Sequence, residues 1–333
     1  MAKRQTVEQS WRYQRENRAE DDSSERRRGS GQSDSGGSVL KRTIREFKQD
    51  NLTDWAAALT YYGVLSIFPA IIALVSILGL IGSSATEPLL ENVGKVAPGP
   101  AKEIFTGAIE NLQKGKGGAG ILFVVGLAGA LWAASGYVAA FMRASNAIYD
   151  IEEGRPIWKT LPTRIGTTVV LVLSLAVVAV GVVLTGGLAK QAGNVIGVGD
   201  SAVSVWNIAK WPVLLLLVSF MFAFLYWAAP NVKHPKFSLI TPGGLLAVVV
   251  WLIASVAFAF YVANFGSYNK TYGTLGGVIT FLVWLWISNI AVLLGAEFNA
   301  ERERGHQIER GHPAQREPFL EPRDTRKMDN PPG

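Results

Sequence analysis

The sequence predicts an all-α integral membrane protein of the inner or plasma membrane type, with six transmembrane helices and short amphipathic helices before span 1 and between spans 1 and 2. Three observations carry that reading. Hydrophobic residues occupy 49% of the 333 positions and charged residues only 17%, so the apolar majority must face something other than water. No Asp, Glu, Lys or Arg falls between Asp54 and Glu87, Lys116 and Arg143, Arg164 and Lys190, Lys210 and Lys233, Lys236 and Lys270, or Lys270 and Glu297. All 18 arginines lie in the amino-terminal region, the 142–164 loop or the carboxyl tail, which six spans place on one side of a membrane.

A spanning helix needs roughly 20 apolar residues, because the hydrocarbon layer is about 30 Å thick and each residue rises about 1.5 Å. All six windows suffice. Helices at the surface of a soluble protein keep a polar face, and LFVVGLAGALWAA and TTVVLVLSLAVVAVGVVL show none.

Residues 1–37 are rich in Arg, Glu, Ser and Gly, with Arg26-Arg27-Arg28 and the run GSGQSDSGGS. Such a tail is expected to be disordered, since it cannot bury enough apolar area to fold. It carries no apolar signal-peptide core. Over 38–50, Leu40, Ile44 and Phe47 recur at helical spacing among Lys41, Arg42, Arg45 and Lys48. This reads either as an interfacial helix near anionic headgroups or as a solvated helix entering the first span.

The membrane domain covers 38–304, with spans expected at about 55–81, 119–141, 165–188, 211–230, 243–263 and 274–298. Thr53 or Asp54 is placed to cap the first. Between 83 and 118, Leu89, Leu90, Val93 and Val96, then Ile104, Phe105, Ala108, Ile109 and Leu112, suggest two short amphipathic helices around Pro98-Gly99-Pro100. From 305 to 333 the chain turns polar and proline-rich and is expected to be a disordered cytoplasmic tail. The positive-inside rule puts both termini in the cytoplasm. Lys95, Lys102, Lys114 and Lys116 argue the other way, from a loop expected outside.

Ionisable groups at membrane depth are functional candidates because they are costly there. Glu297 lies eight residues after Asn289, on the same helical face. Arg143 closes the second span and Asn146 follows one turn later. A Glu297–Arg143 ion pair could lock two helices or gate a pathway; alternatively Glu297 sits among headgroups and pairs with Arg302. Tyr268, Asn269 and Tyr272, around Lys270, read as an outer vestibule or as an aromatic belt and turn. Tyr61, Tyr62, Ser66 and Pro69 bring polar groups and a helix breaker into the first span, as a wall of a substrate path or as a packing kink. Gly126, Gly129, Ala130, Ala133, Ala134 and Gly136 suggest close helix packing, and the Gly243-Gly244 and Gly276-Gly277 pairs read as packing sites or hinges.

Catalytic chemistry finds little footing. There is no cysteine, and His234, His306 and His312 form no metal-ligand spacing. A Walker A sequence is absent, so ATP bound to this chain is not expected to drive transport; no cofactor, catalytic site or metal site is expected.

Four stretches together carry a resemblance: WAAALTYYGVLSIFPAIIAL at 55–74, ASNAIYDIEEGRPIWKT at 144–160, TPGGLLAVVVW at 241–251, and FGSYNKTYGTLGGVITFLVWLWISNIAVLLGAEFNAE at 265–301. They resemble the YihY/BrkB family of bacterial inner-membrane proteins, also labelled virulence factor BrkB or, by an older assignment, ribonuclease BN. The resemblance covers about 40–304. It implies six spans, a cytoplasmic amino terminus and a role in the cell envelope; roles proposed for relatives include serum resistance and movement of lipid or lipopolysaccharide precursors. The expected function is a transporter or flippase-like protein for a lipid or other amphipath, with membrane lipids as partners, homo-oligomerisation left open and no nucleic acid. A non-transporting scaffold of envelope assembly is the alternative, and a membrane enzyme the third reading.

Overall fold

The structure is a computed structural model that describes residues 36–81, 119–183, 200–234, 236–265, 274–311, 313 and 318–329. Among these residues it holds seven helices: α1 (Gly36–Gln49), α2 (Leu52–Ile81), α3 (Ala119–Ile148), α4 (Ile157–Val183), α5 (Asp200–Ala228), α6 (Pro242–Phe265) and α7 (Thr274–Glu309). The all-helical class is as expected. Pairing between extended segments is limited, among the described residues, to one isolated antiparallel bridge, Val232 with Pro322.

Among the described residues, four stretches are long and apolar enough to cross a membrane: Ile157–Val178, Val203–Ala228, Pro242–Ala263 and Gly276–Glu309. These correspond to the last four expected spans. Helices α2 and α3, 30 residues each, occupy the positions of the first two. The amphipathic segments expected between 83 and 118 lie outside the described residues, and so do Tyr268, Asn269 and Tyr272.

The chain divides into two units, residues 1–42 and 43–333; the second contains α2 to α7. Its turns use the residues that tolerate left-handed backbone. Asn51, at φ 51°, joins α1 to α2, and Asp150, at φ 49°, follows α3; short polar side chains are the non-glycine residues best suited to that region. At Asp150 the Ile151 amide donates to the Asn146 carbonyl at 2.9 Å and the Asp150 amide to that of Ala147 at 3.0 Å, the double closure of a Schellman cap. Helix α6 starts on Thr241, whose Oγ1 accepts from the Gly244 amide at 3.0 Å, with Pro242 at the first helical position, where its missing N–H costs nothing.

Within this unit α2 packs most extensively on α3, and α6 on α7; α7 also reaches α2 and α3, while α4 joins α3 to α5. The α6–α7 contact depends on glycine. A Cβ on Gly243 would stand 2.0 Å from the Gly295 carbonyl oxygen, and one on Gly295 2.7 Å from the Tyr226 hydroxyl, so only hydrogen permits this approach. Gly136 likewise lies under the Tyr62 ring. Gly129 and Gly277 face open space, which takes them out of the packed surfaces expected of them.

The core gathers where α3 and α5 end and α2 begins. Leu52, Leu59, Val138, Phe141, Leu225 and Leu293 are buried there together with Phe319 and Leu320. Elsewhere large apolar side chains point outward, as Leu252, Ile253, Val256 and Phe260 do on α6, the pattern of a surface solvated by acyl chains.

The tail corrects an expectation. Helix α7 runs to Glu309, beyond the expected end of the sixth span at about 298 and into the expected tail, and residues 318–329 are packed within the unit instead of being disordered. Phe319 and Leu320 enter the core, and the Lys233 and Arg323 amides donate to the Glu321 and Asn231 carbonyls at 2.8 and 2.9 Å. Few apolar residues suffice because backbone and arginine hydrogen bonds satisfy the polar remainder.

Candidate functional site

Among the described residues of the unit, two polar assemblies and a cavity hold the candidate groups. The first assembly lies between α2, α3 and α7. The Asn289 amide group donates to Thr60 Oγ1 at 3.1 Å, its Oδ1 accepts from the Tyr137 hydroxyl at 2.8 Å, and Thr60 passes its own proton to the Ala56 carbonyl at 2.8 Å. Asn289 and Thr60 are buried, so the node ties three helices together without offering a free group. Sequence reasoning finds Asn289 but misses Thr60 and Tyr137, which stand 229 and 152 residues away.

The other candidates disperse. Tyr61 is 61% exposed and packs edge-on to Tyr62 with ring centroids 5.3 Å apart, so it faces outward. Ser66 donates to the Gly63 carbonyl at 2.6 Å, a bond within its own helix. Pro69 lies in α2, outside the described side chains. Arg143 is exposed and lies over the Tyr62 ring, 5.8 Å from its centroid. Glu297 is 1% exposed, and its Oε2 meets no hydrogen-bond partner. No ion pair therefore joins Glu297 to Arg143 among the described residues.

Asn146 belongs to a second assembly, where the α3–α4 loop, the α5–α6 loop and the tail meet. Its Oδ1 accepts from the Asn231 amide at 2.8 Å and its Nδ2 donates to Glu153 at 3.1 Å. Arg155, buried, grips both Glu153 oxygens at 2.7 and 2.6 Å and also donates to the Ala229 carbonyl at 2.8 Å. Such bidentate, charge-assisted contacts are among the stronger ones available to a protein. Asn231, fully buried, donates to the Glu152 and Asp324 carbonyls at 3.1 and 2.9 Å and accepts from the Asp324 amide at 3.2 Å. The Asp324 carboxylate is held by Arg326 at 2.7 Å and Lys159 at 2.9 Å. Those hydrogen bonds keep its carboxyl well below the usual range. Gly154 lets the tail in, for a Cβ there would lie 1.9 Å from the Asp324 carbonyl oxygen.

The cavity adjoins this assembly. It encloses about 600 Å³ between the end of α5, the 229–241 loop, the start of α6 and the last turns of α7. Tyr149, Tyr226, Trp227 and Ile240 give it aromatic and apolar lining, and Lys236, Asn299, Arg302, Glu303 and His306 give it polar lining. Tail residues pack on two of these side chains. Phe319 packs on Tyr149 at 5.6 Å between centroids, and Arg323 lies 4.9 Å over the Trp227 ring while donating to the Trp227 and Val232 carbonyls. His234 also lines the cavity. Burial, and then the positive charge of Arg323, lower its pKa to about 4, so it is neutral near pH 7. None of the described substrate-path candidates lines the cavity; in sequence its cations read as ordinary polar-loop residues. No group of histidines and carboxylates among the described residues is arranged to hold a metal ion.

Known proteins share this sequence over most of its length. The chain is 31% identical to the ribonuclease-like protein YfkH of Bacillus subtilis over 79% of this chain and 94% of that one. It is 30% identical to a UPF0761 membrane protein of Alkalilimnicola ehrlichii over 76% of this chain and 55% of that one, and 29% identical to a UPF0761 membrane protein of Vibrio campbellii over 78% and 81%. The chain thus spans nearly all of one relative but about half of another. No solved structure matches. Residues 43–319, most of the chain, match the virulence factor BrkB family, and the protein is a membrane protein that belongs to that family.

Proposed function

We propose that the protein is a transporter or flippase-like protein that moves a lipid or another amphipath across the bacterial inner membrane. The observation that carries this reading is a cavity lined by both aromatic and charged residues, since an amphipath needs both kinds of surface at one site. Six spans, α2 to α7, then cross the membrane, with the α3–α4 loop, the α5–α6 loop and both tails on one side. Arg155, Lys159, Lys233, Lys236, Arg323 and Arg326 cluster on that side, which the positive-inside rule makes cytoplasmic. Helix α1, with Lys41, Arg45 and Lys48, lies along the cytoplasmic headgroups.

In this reading Asn289 is a structural tie rather than a substrate ligand, because its side-chain amide and carbonyl both have partners. No catalytic step is assigned, and the ribonuclease-like wording attached to YfkH is not carried over. The test is reconstitution into vesicles with fluorescent lipids. Lipid movement above protein-free vesicles, reduced by filling the cavity with Ala223→Trp, supports the proposal; movement no faster than in empty vesicles overturns it. A scaffold is the second reading, favoured by the folded tail, which gives the cytoplasmic end a fixed surface. A scaffold predicts no lipid movement and loss of partner retention when residues 318–333 are removed.

A further inference from the structure

Lys236 and Arg302 both line the cavity and are exposed, and neither has a hydrogen-bond or ion-pair partner among the described residues. Glu303, a carboxylate in the same lining, is engaged by Gln307 at 2.9 Å on the same helix. Two unpaired cations with several N–H donors suit a group with several acceptor oxygens, the chemistry of a phosphate ester.

The other lining groups narrow the ligand. Lys236 and Arg302 do not suit a headgroup bearing an ammonium, whose positive charge they would repel. His234, which also lines the cavity, is neutral near pH 7 and adds no further charge.

The neighbouring loop points to a lipid as the source. Phe237, Leu239 and Ile240, next to Lys236, are 44%, 48% and 46% exposed. Large apolar side chains beside lysine at the end of membrane-spanning helices seat among acyl chains and headgroups. Resting on the proposed function for the site itself, we infer that the cavity binds the headgroup of an anionic lipid, with Lys236 and Arg302 on its phosphate.

The experiment is native mass spectrometry of the full chain in detergent with four probes: phosphatidylglycerol, phosphatidic acid, phosphatidylcholine, and free glycerol phosphate. Phosphatidylglycerol and phosphatidic acid should both be retained better than phosphatidylcholine. Lys236→Gln with Arg302→Gln should lower their retention about tenfold or more, whereas Lys233→Gln, whose lysine pairs with Glu321 at 3.0 Å outside the cavity, should change nothing. Thermal unfolding of each variant separates lost binding from lost fold. Equal retention of phosphatidylglycerol and phosphatidylcholine overturns the inference, as does full competition by glycerol phosphate, which would make the ligand soluble. If phosphatidylglycerol binds in this way but no lipid moves in vesicles, transport fails and the headgroup site stands. If lipid moves and the double substitution leaves retention unchanged, the headgroup site fails and transport stands.

Discussion

Replacing Asn231 with alanine should destabilise the protein mainly through the tail. The side chain makes three hydrogen bonds, two to the backbone of Asp324 and one to the Glu152 carbonyl. At about 1 kcal/mol net for each, Asn231→Ala costs about 3 kcal/mol in the full chain. In a chain ending at residue 317 only the Glu152 bond remains to be lost, so the same substitution costs about 1 kcal/mol. The coupling between substitution and truncation is therefore about 2 kcal/mol, well above the scatter expected of independent sites. Equilibrium unfolding in mixed detergent micelles, followed by tryptophan fluorescence, measures all four corners of the cycle. An equal cost of Asn231→Ala with and without the tail would refute the reasoning, for it would mean that residues 318–329 do not dock on Asn231.

Three further outcomes are expected. Gly243→Ala should cost about 1–3 kcal/mol or more through overpacking against Gly295, whereas Gly129→Ala, which meets open space, should be neutral or raise stability by up to about 1 kcal/mol; thermal unfolding in detergent separates them. Asn289→Ala should destabilise by about 0.5–2 kcal/mol, since buried hydrogen bonds between membrane helices contribute about that much, and leave phosphatidylglycerol retention unchanged in native mass spectrometry. Stability should fall on acidification in two stages. His234 has a folded pKa of about 4 against an ordinary 6.5, so the unfolded chain binds the extra proton between those values and stability declines through that window; His234→Phe should flatten it in a pH series of unfolding curves. Asp324, depressed in the fold, contributes stability that is intact above the unfolded carboxyl value of about 3.9 and is lost as pH falls further, a loss that Asp324→Asn should remove.

The helices are legible in the sequence because a membrane helix is specified locally. A run such as TTVVLVLSLAVVAVGVV needs no distant partner to be apolar, and charges such as Arg164 and Lys236 mark where water resumes. The TPGG start of α6 is readable for the same reason, as Thr241 caps and Pro242 begins a helix whatever it packs on. The tail is not legible, because Phe319, Leu320 and Met328 are too few and too unevenly spaced to signal a fold. Only the Gly154 opening and the Asn231 amide, more than 90 residues upstream of Asp324, give them a place to dock. The cavity escapes for a related reason: Tyr149, Lys236 and Arg302 line one space only once α3, the α5–α6 loop and α7 have packed together, and taken singly each looks like a surface residue. Asn289 stands out as an amide inside an apolar window, but its role depends on Thr60 and Tyr137, whose hydroxyls are unremarkable in sequence.

The central claim, that a lipid headgroup occupies the cavity at the ends of α5, α6 and α7, is tested most directly by photo-crosslinking a phosphatidylglycerol with a reactive group near its glycerol to the protein in membranes, then locating the adducts by peptide mass spectrometry. Adducts at Tyr149, Tyr226, Trp227 and the 234–241 loop, diminished by Lys236→Gln with Arg302→Gln, are the result expected. Adducts confined to outward-facing residues of α6 such as Leu252, Val256 and Phe260, unchanged by that double substitution, would contradict it.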